Sequence, residues 1–263
     1  MKIYSTIDLE INNNLATVWL NRPDIRNALN ETMISEIIEC FEEINKLQEV
    51  RIVLLKGRGK SFCAGADLNW MRGVSKYTFE QNYAESIQLA KCFYTIYTSK
   101  KPVIAVIHGA AIGGANGLYS SADFAFCDNE TVFAFSEVNI GIIPATISPY
   151  ILKRAGEFVG KDLMFTGRKI KGKEAEQLHL VNKSLDSSEL ENHVNSVINE
   201  LLTSGPDAVA KCKELIYNVV NNNFNSVQVI EYTAKMIAEA RMSSEGQEGM
   251  ASFLEKRKPR WCE

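Results

Sequence analysis

Val103-Ile104-Ala105-Val106-Ile107-His108-Gly109-Ala110-Ala111-Ile112-Gly113-Gly114-Ala115 decides how this chain folds. Its first five residues are apolar without alternation, the pattern of a strand covered on both faces, and the glycines beyond them mark a turn. The uncharged run extends from Pro102 to Ala122, and Gly109, Gly113 and Gly117 repeat a spacing found at membrane-helix contacts. A spanning helix is excluded because Pro102, His108, Asn116, Ser120 and Ser121 interrupt the run and its glycines fall where a helix would have to persist. The same unit stands earlier in the chain. Arg51 to Lys56 holds the continuous run Ile52-Val53-Leu54-Leu55, and Ser61-Phe62-Cys63-Ala64-Gly65-Ala66-Asp67-Leu68 follows it. Strand, glycine-bearing loop and helix occurring twice predict an α/β core.

Working outward, Ile3 to Ile11 and Leu15 to Leu20 read as a hairpin turned by Asn12, Asn13 and Asn14. Asn30 is placed to cap a helix whose apolar residues Met33, Ile34, Ile37, Ile38, Phe41, Ile44 and Leu47 follow helical spacing. A second helix is predicted from Thr78 to Tyr97. From Glu157 onward helical periodicity dominates, through Glu189 to Leu202, Asp207 to Val220, Ser226 to Arg241 and Glu245 to Glu255. The expected division is an α/β core over 1–195 and a helical oligomerisation segment over 196–263.

The 263 residues are 46% hydrophobic and 23% charged, ordinary globular values that exclude disorder and low-complexity arrays. A formal net charge of −3 gives no generic attraction to nucleic acid or anionic lipid, so neither is an expected partner. The six cysteines fall at irregular spacings with no C-x-x-C, as in a reduced cytoplasmic protein, and Asp8 and Glu10 break the apolar stretch a secretory leader needs. Gly59-Lys60-Ser61 lacks the earlier glycine of a phosphate loop, since Leu54 holds that place. The turn after Ile107 lacks the G-x-G-x-x-G order of a dinucleotide site, and there is no G-x-S-x-G around Ser120 or Ser121. His108, His179 and His193 have no partner at metal-ligand spacing, so no metal or other cofactor is expected.

Small residues at a strand end let a ligand approach the backbone, and a glycine-rich turn entering a helix directs unsatisfied N–H groups at it. Two such loops, 61–68 and 108–115, describe a pocket suited to a developing oxyanion.

Ordered motifs along nearly the whole chain resemble the crotonase, or enoyl-CoA hydratase/isomerase, superfamily. They are Asn21-Arg22-Pro23 with Asn27-Ala28-Leu29, Ala64-Gly65-Ala66-Asp67-Leu68, Gly113-Gly114, Phe135-Ser136-Glu137, Gly141-Ile142-Ile143-Pro144, and Glu248-Gly249-Met250 with Phe253-Leu254-Glu255-Lys256-Arg257. The resemblance implies a crotonase-like spiral of ββα repeats with a C-terminal helical segment, assembled as a homotrimer or dimer of trimers. It implies that the backbone N–H groups of Ala64 and Gly114 form an oxyanion hole for an acyl-CoA thioester, with Gly113 beside them. Glu137 is implied as the general acid/base, its carboxyl raised by burial near Phe133, Phe135 and Ile140. Arg26 and Ala28 resemble positions lining the CoA groove, and Gly65, Ala66, Asp67 and Leu68 resemble the loop that holds adenine and pantetheine. Coenzyme A enters as part of the substrate.

Typical hydratases of this superfamily carry a second glutamate where Gly117 stands, so Gly117 is an expected substrate-contact position from which a carboxylate is missing. Asp67-Leu68-Asn69-Trp70-Met71-Arg72 and Ile143 to Tyr150 resemble the bacterial 3-methylglutaconyl-CoA hydratase branch, a part of leucine degradation. Arg72 is the expected partner of that substrate's distal carboxylate. A Δ3,Δ2-enoyl-CoA isomerase using Glu137 alone, or an inactive acyl-CoA-binding protein, are the alternatives.

Overall fold

The structure is a computed structural model describing residues 2–262. The hairpin forms as β1 (Ile7–Asn12) and β2 (Leu15–Leu20), antiparallel, with Asn13 in the left-handed conformation that a tight turn demands. β1 starts four residues later than its sequence pattern, because Ser5 and Thr6 give their N–H groups to the Glu36 carboxylate instead of a neighbouring strand. Glu36 belongs to α1 (Glu31–Ile44), where the Asn30 side chain accepts from the Met33 N–H at 2.9 Å and the expected apolar face is buried. Leu47 lies past its end.

Next come β3 (Ile52–Gly57), α2 (Leu68–Val74), α3 (Phe79–Tyr97), β4 (Val103–Ile107), β5 (Ala110–Ile112), α4 (Ala115–Ser120), β6 (Phe124–Asp128) and β7 (Val132–Ala134). They are followed by α5 (Ser148–Thr166), β8 (Lys169–Lys171), α6 (Gly172–Gln177), β9 (Lys183–Leu185) and α7 (Ser187–Leu202). The large sheet runs β1-β2-β3-β4-β6-β9, parallel from β2 onward, and a small sheet runs β5-β7-β8. Buried strands β3 and β4 occupy its centre, as their continuous apolar runs require. Strands of three residues show no period, which is why β5, β7, β8 and β9 are invisible to sequence pattern. α5 begins nine residues before its periodicity does, because Gly156, with φ of 76°, breaks the helix near its middle.

Register turns this topology into a spiral. Leu54, Ile104 and Phe124 form one row across the large sheet. Cys63, Ala111, Phe133 and Ile170 form a second row, Cys63 joining by an isolated bridge. Each turn of chain lays one strand in each row, then departs through a loop. The fold is the crotonase-type α/β architecture, and its second row sets three loop beginnings side by side.

The chain divides into two compact units, 2–194 and 195–262. The second contains α8 (Pro206–Asn221), α9 (Ser226–Met242) and α10 (Ser244–Glu255). Glu245 accepts from the N–H groups of Asp207 and Ala208, pinning the start of α8 to the start of α10. Among the described residues, no helix is long and apolar enough to cross a membrane.

Candidate active site

The loop after Cys63 is zipped to the loop after Ala111. Cys63 donates its N–H to the Ala110 carbonyl at 3.0 Å, and the Ile112 N–H returns to the Cys63 carbonyl at 3.2 Å. Gly65, with φ of 100°, then passes so close to Ile112 that a methyl group on it would stand 3.0 Å from that carbonyl oxygen. Only glycine meets both the dihedral and the distance. Burial holds the Cys63 thiol protonated, pushed up to about 12, so no thiolate is present at neutral pH.

Accounting for backbone donors corrects the expected oxyanion hole. The Ala64 N–H donates to the Arg26 carbonyl at 2.9 Å and has nothing left to offer a substrate. Two residues on, the Leu29 N–H donates to Gly65 O at 2.7 Å, and the Asp67 N–H donates to Leu29 O at 2.8 Å. Both bonds face Leu29, so the intervening Ala66 N–H faces the opposite way. Among the described residues, neither the Ala66 nor the Gly114 N–H has an acceptor within the protein. The free pair is Ala66 and Gly114. Leu29 connects them: its backbone bridges Ala66, and its Cδ1 would lie 3.2 Å from a methyl group on Gly114.

Glu137 joins this pair through Gly113. A methyl group on Gly113 would stand 3.5 Å from Oε1 of Glu137, so the carboxylate lies one residue from the Gly114 donor. Glu137 heads a 3-10 turn, Ser136–Ile140, that leaves β7. Among the described residues its buried Oε2 has no hydrogen-bond partner, and burial raises its carboxyl above the ordinary range. Phe133 and Phe135 are buried, but Ile140 is 59% exposed, which corrects the expectation that it helps bury the acid.

The structure places Gly117, the expected substrate-contact position, buried in α4. The direction its side chain would take is filled by Phe93 Cζ at 2.5 Å and Ile147 Cγ2 at 2.7 Å. The absent carboxylate has therefore been replaced by core. Gly117→Glu is expected to lower stability by about 3 kcal/mol, from overpacking and an unpaired buried charge, read as a shift in the denaturant midpoint.

A cavity of about 660 Å3 opens on the Ala66 side. Arg26, Ala28, Ala64, Ala66, Asp67, Leu68 and Arg72 are among the residues lining it, and Gly65, Gly113, Gly114 and Glu137 are not. Asp67 is present as a structural group. Burial works to raise its carboxyl, but the Arg22 guanidinium at 2.7 Å and the N–H groups of Asn69 and Trp70 outweigh this and hold it below the usual range. Arg22, which sequence reading did not single out, also donates to the Ala28 carbonyl. Buried Asn27 completes the frame, accepting from the Arg22 N–H and donating to the carbonyls of Arg58 and Ser61. Arg26 is exposed, and among the described residues its guanidinium has no partner; Arg72 donates to Asn69. In the second unit, Arg257 of the basic terminal run is tied to Glu248 and Glu255.

Two free backbone donors, one of them a residue away from a partly buried carboxylate, suit charge developing on an oxygen, as an enzyme of the crotonase class requires. The chain belongs to the enoyl-CoA hydratase/isomerase family, whose model matches residues 10–263. It is 32% identical over 260 residues to the short-chain-enoyl-CoA hydratase of Clostridium acetobutylicum, covering 97% of this chain and 96% of that one. It is 30% identical to the peroxisomal Delta(3,5)-Delta(2,4)-dienoyl-CoA isomerase of Arabidopsis thaliana, covering 100% and 99%. The crystal structure of an enoyl-CoA hydratase from Shewanella pealeana superposes with a TM-score of 0.94 at 36% identity, covering 98% of this chain and 96% of that one.

Proposed function

We propose that the protein adds water to an α,β-unsaturated acyl-CoA, or removes it, with one carboxylate performing both proton transfers. The observation that carries this reading is the placement of Glu137 one residue from the free Gly114 N–H. The thioester oxygen accepts from Ala66 and Gly114, and those bonds strengthen as enolate charge develops. Ionised Glu137 takes a proton from water as the oxygen attacks Cβ, then returns that proton to Cα. The carboxylate ends as it began, and H and OH have been added across the double bond.

The acyl group we favour is 3-methylglutaconyl, on the sequence resemblance and on the place of Arg72 in the wall of the cavity that reaches Ala66. Arg26 in the same cavity serves the CoA phosphates. A second reading, Δ3,Δ2-enoyl isomerisation, is favoured by the Phe93 and Ile147 side chains that fill the Gly117 space. A shuttle from C4 to C2 or back needs one carboxylate and no water. The homotrimer or dimer of trimers fits Ile142, Ile143, Phe158 and Phe165, which stand exposed on this chain, and a cytoplasmic setting completes the reading.

Side-by-side assay of methylglutaconyl-, crotonyl- and 3-enoyl-CoA tests the reaction and the acyl group. Hydration products are expected from the first two. Arg72→Ala is expected to cut the preference for methylglutaconyl-CoA over crotonyl-CoA by about 10- to 100-fold, the worth of a charge-assisted hydrogen bond. An equal loss on every thioester would assign Arg72 to the CoA phosphates, and double-bond migration without hydration would establish the isomerase. Binding without turnover of any of the three would leave an acyl-CoA-binding protein.

A further inference from the structure

We propose that the buried pair Asn116 and Tyr119 positions the oxyanion donor of Gly114 and its spacing from Glu137. This rests on the enoyl-thioester reading above and concerns residues that touch no reacting atom. The Gly114 N–H shares one rigid peptide plane with the Gly113 carbonyl, pointing opposite to it, so whatever holds that carbonyl aims the N–H. The Asn116 N–H donates to the Gly113 carbonyl at 2.9 Å, and the Asn116 side-chain Nδ2 donates to the same oxygen at 2.8 Å.

The same Nδ2 donates to the Ala134 carbonyl at 2.9 Å, the oxygen that also accepts from the Gly113 N–H. Ala134 is the last residue of β7, three before Glu137. One carboxamide thus clamps the donor's peptide to the strand that delivers the carboxylate. Its remaining atom, Oδ1, accepts from the Tyr119 hydroxyl at 3.1 Å. The two carbonyl oxygens require the NH2 group and so fix which end of the amide is nitrogen, leaving Oδ1 to accept from Tyr119.

Both residues are 0% exposed. Burial pushes the Tyr119 phenol up, so it remains a donor at every working pH, and its ring packs edge-on against Phe133 at 5.4 Å. Every hydrogen of the Asn116 amide is committed, and no water is needed to complete the clamp. A side chain serving only to fill space at this position would be apolar at lower desolvation cost.

Asn116→Ala and Tyr119→Phe in the full chain test the proposal, each read by kcat and KM on crotonyl-CoA and by the infrared carbonyl stretch of the bound thioester. Asn116→Ala is expected to lower kcat by about 10- to 100-fold, less than outright loss of an oxyanion donor, with KM within about threefold. Tyr119→Phe keeps the ring packing and is expected to lower kcat by about 3- to 10-fold. In both, the bound carbonyl should move back toward its frequency in water. A merely structural role would lower the melting temperature and leave that stretch unmoved in folded protein. Wild-type kcat with a wild-type stretch in either folded variant overturns the proposal, and if Asn116→Ala fails to fold, Tyr119→Phe decides it alone. A wild-type enzyme that neither turns over any enoyl-CoA nor shifts the bound carbonyl would instead bring down the reading beneath it.

Discussion

Glu137→Gln is expected to lower kcat on the preferred enoyl-CoA by about 10²- to 10⁴-fold while leaving KM within a few-fold, because the amide keeps the shape and loses the proton-transfer role. Stability should move the other way. Burial raises the Glu137 carboxyl in the folded chain above its ordinary value of 4.5, so the folded state holds its proton more tightly than the unfolded state. Wild-type stability contributed by this group is therefore full below that value and is lost as pH rises through the folded pKa. At neutral pH the charged carboxylate is a net burden, with Oε2 buried and, among the described residues, unpartnered. Glutamine removes the burden, and thermal unfolding at neutral pH should show a variant at least as stable as wild type.

The same shift sets the sign of the rate profile. Glu137 acts on the first proton as a carboxylate, so kcat/KM should rise with pH along an acid limb whose midpoint lies above 4.5. Stability falls across the window in which activity appears. A midpoint at or below the ordinary carboxylate value would remove Glu137 from the first proton transfer, and a flat turnover in the Gln variant would remove it from the mechanism.

Much of this arrangement is legible before any coordinates, and the reasons are physical. Continuous apolar runs at β3 and β4, short and followed at once by glycines, read as buried strands ending in turns, so the two loops that build the site are marked in the sequence. Glu137 is legible through the family resemblance, because it falls on the position of that family's Ser-Glu motif and interrupts an apolar segment. Other features depend on contacts between distant residues that leave no local pattern. Phe93 lies 24 positions before Gly117, and nothing between them says that its ring occupies the space of a missing carboxylate. Arg22 stands in the sequence only as part of the Asn21-Arg22-Pro23 motif, and its pairing with Asp67 at 2.7 Å joins residues 45 positions apart. The clamp at Asn116 depends on Ala134 arriving from the next turn of the spiral.

The choice between Ala64 and Ala66 is illegible for a different reason. Ala64-Gly65-Ala66 is symmetric in composition, and in regular extended chain N–H groups two residues apart point the same way. What separates the two alanines is the break in extended chain at Gly65, with φ of 100°: the Ala64 N–H meets the Arg26 carbonyl, while the Ala66 N–H faces away from Leu29, a difference composition does not carry. Replacing a single N–H by an ester oxygen, through incorporation of the α-hydroxy analogue of alanine, separates the two positions. At residue 66 the exchange deletes the free donor, and kcat/KM is expected to fall by about 10²- to 10³-fold with little change in unfolding midpoint. At residue 64 it deletes the bond to the Arg26 carbonyl, so stability should fall by about 1 kcal/mol while turnover stays within a few-fold. The two esters differ by two positions in one loop and carry the same chemical change, so any general disturbance of the loop would affect them alike. A large rate loss at 64 with none at 66 would show that Ala64 supplies the donor when substrate binds, its bond to the Arg26 carbonyl broken, and would overturn the assignment of Ala66.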